Sequence, residues 1–144
     1  MKDQPQSGFL ISKIHQLGQR IFTKKLKKFD LEINAAQGRI MFVLWRKDNI
    51  SIQELSKETS LGKSTLTSML DRLEKMGYVK RIPSSTDRRV LNIARTKKDE
   101  SYEDLYVAVS KEMGDLFYAG FSKEEIAQLD NYLERLFKNL VNHK

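Results

Sequence analysis

Residues 63–98 constrain the fold and the partners of this chain most strongly, because they join a helical pattern to a strand pattern and carry all of the net charge. The segment contains ten basic and three acidic residues, a balance of +7, whereas the rest of the 144 residues include 16 basic and 16 acidic ones. Positive charge concentrated on one supersecondary unit is typical of a surface that meets a polyanion such as nucleic acid.

Two short helices joined by a tight turn are predicted over residues 51–76. Ser51 and Glu54 have the spacing of a capping box, in which Ser51 accepts a hydrogen bond from the backbone of Glu54 and the Glu54 side chain reaches back. The first helix is expected to end near Thr59, because Gly62 supplies a turn residue shortly afterwards.

A hairpin pattern directly follows the second helix, which is predicted over residues 63–76. Gly77 closes that helix, since glycine readily adopts the left-handed conformation found just beyond helix ends. The short β-branched runs 78–82 and 90–94 then predict two strands joined by a long basic tip. A helix-turn-helix followed by a hairpin is a winged helix-turn-helix, here with a two-stranded β wing over residues 78–95.

Longer helices are predicted on both sides of this unit. Apolar residues recur at helical spacing over residues 9–29 and 35–45, and again over residues 102–117. Ser122 and Glu125 form a second capping-box pattern, which opens a final helix. We therefore predict a mainly α protein of one domain, a size that suits a chain of 144 residues.

The helix over residues 63–76 separates apolar from hydroxyl side chains. Its inward stripe is predicted to be Leu66, Met69, Leu70 and Leu73. The opposite face is rich in hydroxyls and flanked by cations, so it can enter a DNA major groove about 12 Å wide and reach phosphates and base edges. The expected DNA-binding residues are Lys63, Ser64, Thr65, Thr67, Ser68 and Arg72. The alternative is that residues 64–67 form only an N-capping, solvent-facing helix start.

Two arginines, Arg88 and Arg89, lie at the expected tip of the wing. A guanidinium fits the narrow, electronegative minor groove of A·T-rich DNA, so we predict that the wing tip binds there. One of the two arginines is expected to contact DNA. The other is expected to pair with Asp87 or Asp71 and hold the wing in shape.

Composition excludes several other classes of protein. The chain has no cysteine, which rules out disulfides, thiolate metal sites and thiol redox switches. The only histidines are His15 and His143, and neither a catalytic triad nor a phosphate-cradling glycine loop is evident. We expect no enzyme activity, no metal and no cofactor. Neither a signal peptide nor a transmembrane segment is indicated, so the expectation is a cytoplasmic protein with no membrane partner.

The motifs of this chain resemble those of the multiple-antibiotic-resistance regulator (MarR) family of bacterial transcription factors. The resemblance covers nearly the whole chain and rests on the stretches IQELS (52–56), STLT (64–67), LDRLEKMGYV (70–79) and DRR (87–89). One departure is Arg95-Thr96 and Asp99, where the family usually has Leu-Thr and a glycine soon after the wing. This departure leaves the roles of Arg95 and Lys97 open.

The resemblance implies a homodimer that binds double-stranded DNA at a pseudo-palindromic operator and is released by a small ligand, often an aromatic or phenolic acid. Residues 30–98 would form the winged helix-turn-helix lobe, and residues 7–29 and 99–142 would form the helical dimerisation region. The terminal helices do carry more apolar surface than two isolated ends need, which supports a dimer. The alternative is that they pack only on their own core.

Three aromatic residues, Trp45, Tyr102 and Tyr106, are candidates for lining an effector pocket. Aromatic stripes at helical spacing are more often core, and that alternative stays open. The function predicted from the sequence is a DNA-binding transcriptional regulator that acts as a repressor. Its rivals are a winged helix that docks onto another protein and a protein that binds nucleic acid without sequence preference.

Overall fold

The structure is a computed structural model that describes the backbone of residues 1–144 and the side chains of residues 1–34 and 36–144. It confirms a mainly α, winged helix-turn-helix fold. The elements in chain order are α1 (Ser7–Lys27), α2 (Ala35–Arg46), β1 (Ile50–Ser51), α3 (Ile52–Thr59), α4 (Lys63–Met76), β2 (Val79–Pro83), β3 (Leu91–Arg95), α5 (Lys97–Glu100), α6 (Glu103–Phe117) and α7 (Lys123–Val141).

The chain divides into two compact units, Met1–Val109 and Ser110–Lys144. The first unit contains the helix-turn-helix and the wing, and the centre of its core is made of leucines, isoleucines and one methionine from α1, α2, α3, α4 and β3. The fully buried members are Leu26, Ile40, Met41, Leu44, Leu55, Leu66, Leu70, Leu73 and Ile93. Helix α2 packs against α1 and α3, while α4 packs against α3 and β2, so the helix-turn-helix rests on a continuous apolar layer.

The wing has three strands rather than the predicted two. Strand β3 lies in the centre of an antiparallel sheet of order β1-β3-β2, with Ile50 opposite Ile93 and Arg81 also opposite Ile93 on the other side. Strand β1 is only two residues long, so it carries no alternating pattern that a sequence could reveal. Its pairing with β3 attaches the wing to the start of α3.

The turn between α3 and α4 lies where the sequence predicts it, but Gly62 is not its left-handed residue. Helix α3 ends at Thr59 as expected, but the left-handed residue is Ser60, with a φ of +59°, and Gly62 has an ordinary φ of −66° as the N-cap of α4. The Thr59 hydroxyl donates to the Leu55 carbonyl at 2.7 Å and accepts from the Leu61 amide at 3.3 Å. These bonds stabilise the turn. The positive φ of the turn is at Ser60, so Gly62 is not needed to supply it.

Helix ends confirm most of the predicted caps. Gly77 has a φ of +86° at the end of α4, and Ser122 with Glu125 forms the full capping box that opens α7. The predicted box at α3 is only half present. Ser51 accepts from the Glu54 amide at 3.1 Å, but the Glu54 carboxylate pairs with Lys47 instead of reaching back.

A buried carboxylate connects the end of the wing to the following helices. Asp99 is fully buried, and it accepts hydrogen bonds from Arg95 Nε of β3 and from the Tyr106 hydroxyl of α6, the latter at 2.7 Å. Arg95 also pairs with Glu103. Burial, and then the bond to Asp99, raises the pKa of Tyr106, which keeps its hydroxyl protonated as a donor. Arg95, whose role the sequence left open, is therefore a structural residue of the wing base.

Helix α7 belongs to the second unit and has no buried residue of its own, although its sequence has a clear apolar stripe. Among the residues that the structure describes, no helix is both long and apolar enough to cross a membrane.

We predict that Asp99→Asn lowers the free energy of unfolding by about 2–4 kcal/mol. The Arg95 side chain, which is only 10% exposed, would then face a neutral amide instead of a carboxylate. Urea denaturation followed by circular dichroism measures this loss. The matched control is Glu103→Gln, which removes the second carboxylate that pairs with Arg95. The Glu103 side chain is 48% exposed. It should cost less than about 1 kcal/mol. Equal losses in the two variants would contradict a special role for the buried carboxylate.

Candidate nucleic-acid interface

Helix α4 exposes the hydroxyl face that its sequence predicts. Leu66, Leu70 and Leu73 are fully buried, and Met69 is half-buried at the edge of that stripe. All six predicted DNA-binding residues of the helix are exposed, namely Lys63, Ser64, Thr65, Thr67, Ser68 and Arg72. The burial of one face therefore leaves the hydroxyls and their flanking cations open to a partner.

The N-terminus of α4 has free backbone donors and no acidic residue in its first turn. Gly62 is the N-cap, and no side chain caps the helix through a hydrogen bond. The capping role that the alternative gave to residues 64–67 is therefore wrong, whereas the exposure of Ser64, Thr65 and Thr67 to solvent agrees with it. Uncapped amide groups at a helix start attract anions, phosphate among them, because they carry the positive end of the helix dipole.

The tip of the wing is a tight, hydrogen-bonded turn that displays two arginines in different states. Arg89 forms two bonds to the Asp87 carboxylate, from Nε and from Nη2, each 3.1 Å long, while its side chain stays 90% exposed. This bonding lowers the pKa of Asp87, which keeps the carboxylate charged. Arg88 is exposed and has no ion pair or hydrogen bond from its side chain to any side chain that the structure describes. The sequence offered Asp87 or Asp71 as the partner of one wing arginine, and in the structure Arg89 pairs with Asp87.

Not all of the positive charge of residues 63–98 is available to a partner. Arg81 pairs with Asp71 and Glu74, and Arg95 pairs with two further carboxylates. Lys98 Nζ donates to the Met76 carbonyl at 2.7 Å and lies 5.0 Å from the centre of the Tyr78 ring. Within the described part of the chain, the segment's cations that form no side-chain bond are Lys63, Arg72, Lys75, Lys80, Arg88 and Lys97. Counting charges in the sequence could not separate the cations that are bonded within the protein from those that are not.

The end of α4 is fixed to the start of the wing by short-range bonds. The Tyr78 amide donates to the Leu73 carbonyl at 3.0 Å, and the Thr96 hydroxyl at the end of the wing donates to the Gly77 carbonyl. A Cβ added at Gly77 would lie 3.3 Å from the Lys98 side chain, and the positive φ already disfavours any other residue. These bonds therefore fix the orientation of the wing relative to α4.

The three aromatic residues proposed for an effector pocket lie together in the first unit. Trp45 stacks on Tyr106 with 4.1 Å between ring centres, and Tyr102 lies 6.2 Å from Tyr106. Tyr106 is buried and its hydroxyl is bonded to Asp99. Trp45 Nε1, by contrast, is buried and has no hydrogen-bond partner in the part of the chain that the structure describes.

The two terminal helices expose apolar side chains, each within its own unit. Helix α1 exposes Phe9, Leu10, Ile11, Ile14 and Leu17, and helix α7 exposes Leu133, Leu136, Phe137, Leu140 and Val141. Such contiguous apolar stripes are unusual on a surface that stays in water. These residues are exposed in the single chain.

Comparison with known proteins places this architecture in a family. A model of the MarR family matches residues 33–91, which include the helix-turn-helix and most of the wing. The transcriptional regulator PecS of Dickeya dadantii is 32% identical over 137 residues, which cover 93% of this chain and 81% of the relative. This match extends the similarity beyond the winged unit to nearly the whole chain.

Two solved structures support the same conclusion. The crystal structure of a MarR transcriptional regulator from Methanosarcina mazei Go1 aligns with a TM-score of 0.78 at 27% identity, over 93% of this chain and 95% of that one. A MarR mutant from E. coli complexed with operator DNA aligns with a TM-score of 0.76 at 27% identity, over 90% and 91% of the two chains. The resemblance read from the sequence is confirmed: the chain belongs to the MarR family and is a winged-helix transcriptional regulator, not an enzyme.

Proposed function

We propose that this protein binds a pseudo-palindromic operator in double-stranded DNA as a homodimer and represses transcription from it. The observation that carries the proposal is the exposed hydroxyl face of α4, which lies opposite the buried Leu66, Leu70 and Leu73. In this proposal α4 enters the major groove, where small hydroxyl side chains permit a close approach to base edges. Repression follows where the operator overlaps a promoter, because a bound dimer obstructs RNA polymerase. Chromosomal DNA as the target also agrees with a cytoplasmic location.

The residues of α4 divide by the contact that their chemistry favours. Lys63 and Arg72 carry charges suited to phosphate, while the uncapped amides at the helix start suit a further phosphate. Ser64, Thr65, Thr67 and Ser68 are short donors and acceptors that can reach base edges. We assign sequence discrimination to these four hydroxyls, and affinity to the cations around them.

The wing tip is assigned to the minor groove. Asp87 holds the Arg89 guanidinium extended from the tip and leaves Nη1 uncommitted, so less side-chain entropy is lost when Arg89 inserts. Arg88 has no such restraint and is suited to a flexible phosphate contact. In this assignment both arginines bind DNA, and only Arg89 depends on a carboxylate for its orientation.

A homodimer accounts for the apolar stripes of the terminal helices. Residues 7–29 and 99–142 are proposed as the dimerisation region, with residues 30–98 as the DNA-binding lobe. Two copies of α4 in one dimer would then meet successive major grooves about 34–36 Å apart, which explains why the operator should be pseudo-palindromic.

Release by a small aromatic effector is the remaining part of the proposal. Trp45 and Tyr102 are half-buried and stand beside the buried Tyr106, and the buried Trp45 Nε1 is a donor that an acidic ligand could satisfy. A phenolic or aromatic acid combines these two properties.

We expect selection from a random duplex pool to yield an inverted repeat that the protein binds roughly 10³-fold more tightly than random duplex, with steep salt dependence. Titration by fluorescence anisotropy at several salt concentrations measures both properties. Equal affinity for all duplexes would favour a protein that binds nucleic acid without sequence preference. No duplex binding at low salt would favour a winged helix that docks onto another protein.

Replacement of Arg88 or Arg89 by alanine should weaken operator binding by about 1–3 kcal/mol. Arg88→Ala should act alike on all sequences and lower the salt slope by about one, since it removes a phosphate contact. Arg89→Ala should also relax the preference for A·T pairs beneath the wing. The control is Lys111→Ala, which removes a cation paired with Asp115 on α6. If neither wing variant binds more weakly than this control, the wing does not contact DNA.

Leu136→Lys should weaken self-association on the order of tenfold or more, because a charge then sits in the proposed apolar interface. Sedimentation equilibrium of the free protein measures the effect. Asn131→Lys is the matched control, since it places the same side chain at an exposed position on the far side of the same helix from the apolar stripe. A wild-type protein that is monomeric both free and on operator DNA would refute the dimer.

A further inference from the structure

A single arginine of the wing joins two carboxylates of the helix that is proposed to read the DNA. Arg81 of β2 donates from Nη2 to Asp71 Oδ1 at 2.8 Å and from Nη1 to Glu74 Oε1 at 2.7 Å. Both distances are those of well-formed charge-assisted hydrogen bonds. The guanidinium thus uses its two terminal nitrogens on two different residues of α4.

The arrangement follows from the spacing of these residues. Asp71 and Glu74 are three apart in α4 and therefore neighbours on one side of the helix. Arg81 is two residues beyond Val79 in β2, and Val79 is buried, so both project from the same face of the strand. The strand packs on α4, and the Arg81 side chain is only 19% exposed. The planar Arg81 guanidinium therefore connects α4 to the wing at a site that is largely shielded from solvent.

The two carboxylates lie where negative charge would oppose DNA. Asp71 is adjacent in sequence to Arg72 and three residues from Ser68, both of which are assigned to the DNA contact. An unpaired carboxylate at that position would repel phosphate, because like charges across an interface are costly. Arg81 offsets one of these two negative charges and shares its bonds between both carboxylates, while its own side chain is only 19% exposed.

We infer that Arg81 is a positioning residue for DNA binding: it holds α4 to the wing and masks Asp71 and Glu74, and it does not contact DNA itself. The inference rests on the proposed function, because it concerns the same DNA-binding surface. It also distinguishes Arg81 from Lys80, its exposed neighbour on the opposite face of β2, which forms no ion pair among the side chains that the structure describes.

A double-mutant cycle tests the inference on the full-length protein. Arg81→Met is made in the wild-type background and in a background carrying Asp71→Asn and Glu74→Gln, and each variant is titrated against the selected operator. We expect Arg81→Met to weaken binding about tenfold in the wild type and less than about threefold once both carboxylates are neutral. Such rescue is not expected of a residue that serves folding alone.

Lys80→Met is the matched control, since it removes the same charge from the adjacent position of the same strand. Because Lys80 is exposed and forms no ion pair in the described part of the chain, its loss should change binding equally in both backgrounds, through the removal of one positive charge. Circular dichroism and thermal unfolding establish that each variant is folded before titration. Arg81→Lys is a second variant, which keeps the charge but lacks the planar fork, and it should bind with intermediate affinity.

Two outcomes would overturn the inference. An equal loss from Arg81→Met in both backgrounds would mean that Arg81 contacts DNA directly. No loss in the wild-type background would mean that the pairing has no role in binding. Failure of the wild-type protein to bind any duplex specifically would instead refute the proposed function, so the two failures can be told apart.

Discussion

The burial of three leucines on one side of α4 is the constraint on which the rest of the molecule depends. Leu66, Leu70 and Leu73 lie in the common apolar layer with α3 and the wing, and this fixes the rotation of α4 about its own axis. Rotation by even one residue, about 100°, would place hydroxyls in the core and leucines in water. The orientation of the proposed DNA-binding face is therefore specified by packing on the opposite side of α4, not by the residues that compose the face.

The basic segment of the chain serves two purposes that net charge does not distinguish. Arg81, Arg95 and Lys98 hold the wing, through carboxylates in the first two cases and through a backbone carbonyl and a tyrosine ring in the third. The cations without such bonds remain for a polyanion. Long-range attraction of DNA depends on the total charge, whereas close contact in the proposed complex depends on the second group and on Arg89, which stays 90% exposed while bonded to Asp87.

Much of the fold could be predicted because it rests on local signals. Helical periodicity identified the long helices, and Gly77 and Ser122 marked helix boundaries correctly. Strand β1 could not be predicted, since its two residues become a strand only by pairing with β3. The left-handed conformation of Ser60 could not be predicted, because serine does not favour it. The hydrogen bonds of the Thr59 hydroxyl that accompany it are visible only in the structure. The division of cations into paired and free ones needed three-dimensional neighbours, which no spacing rule supplies.

The buried Asp99 has a mechanical consequence for this half of the chain. One of its oxygens accepts from Arg95, the last residue of β3, and the other accepts from Tyr106 in the first turn of α6, so a shift of either element alone would break one of these bonds. The wing base and the beginning of α6 form one rigid lever. A displacement of the first turn of α6 would therefore reach β3 directly through these two hydrogen bonds, in addition to the covalent path along residues 96–102.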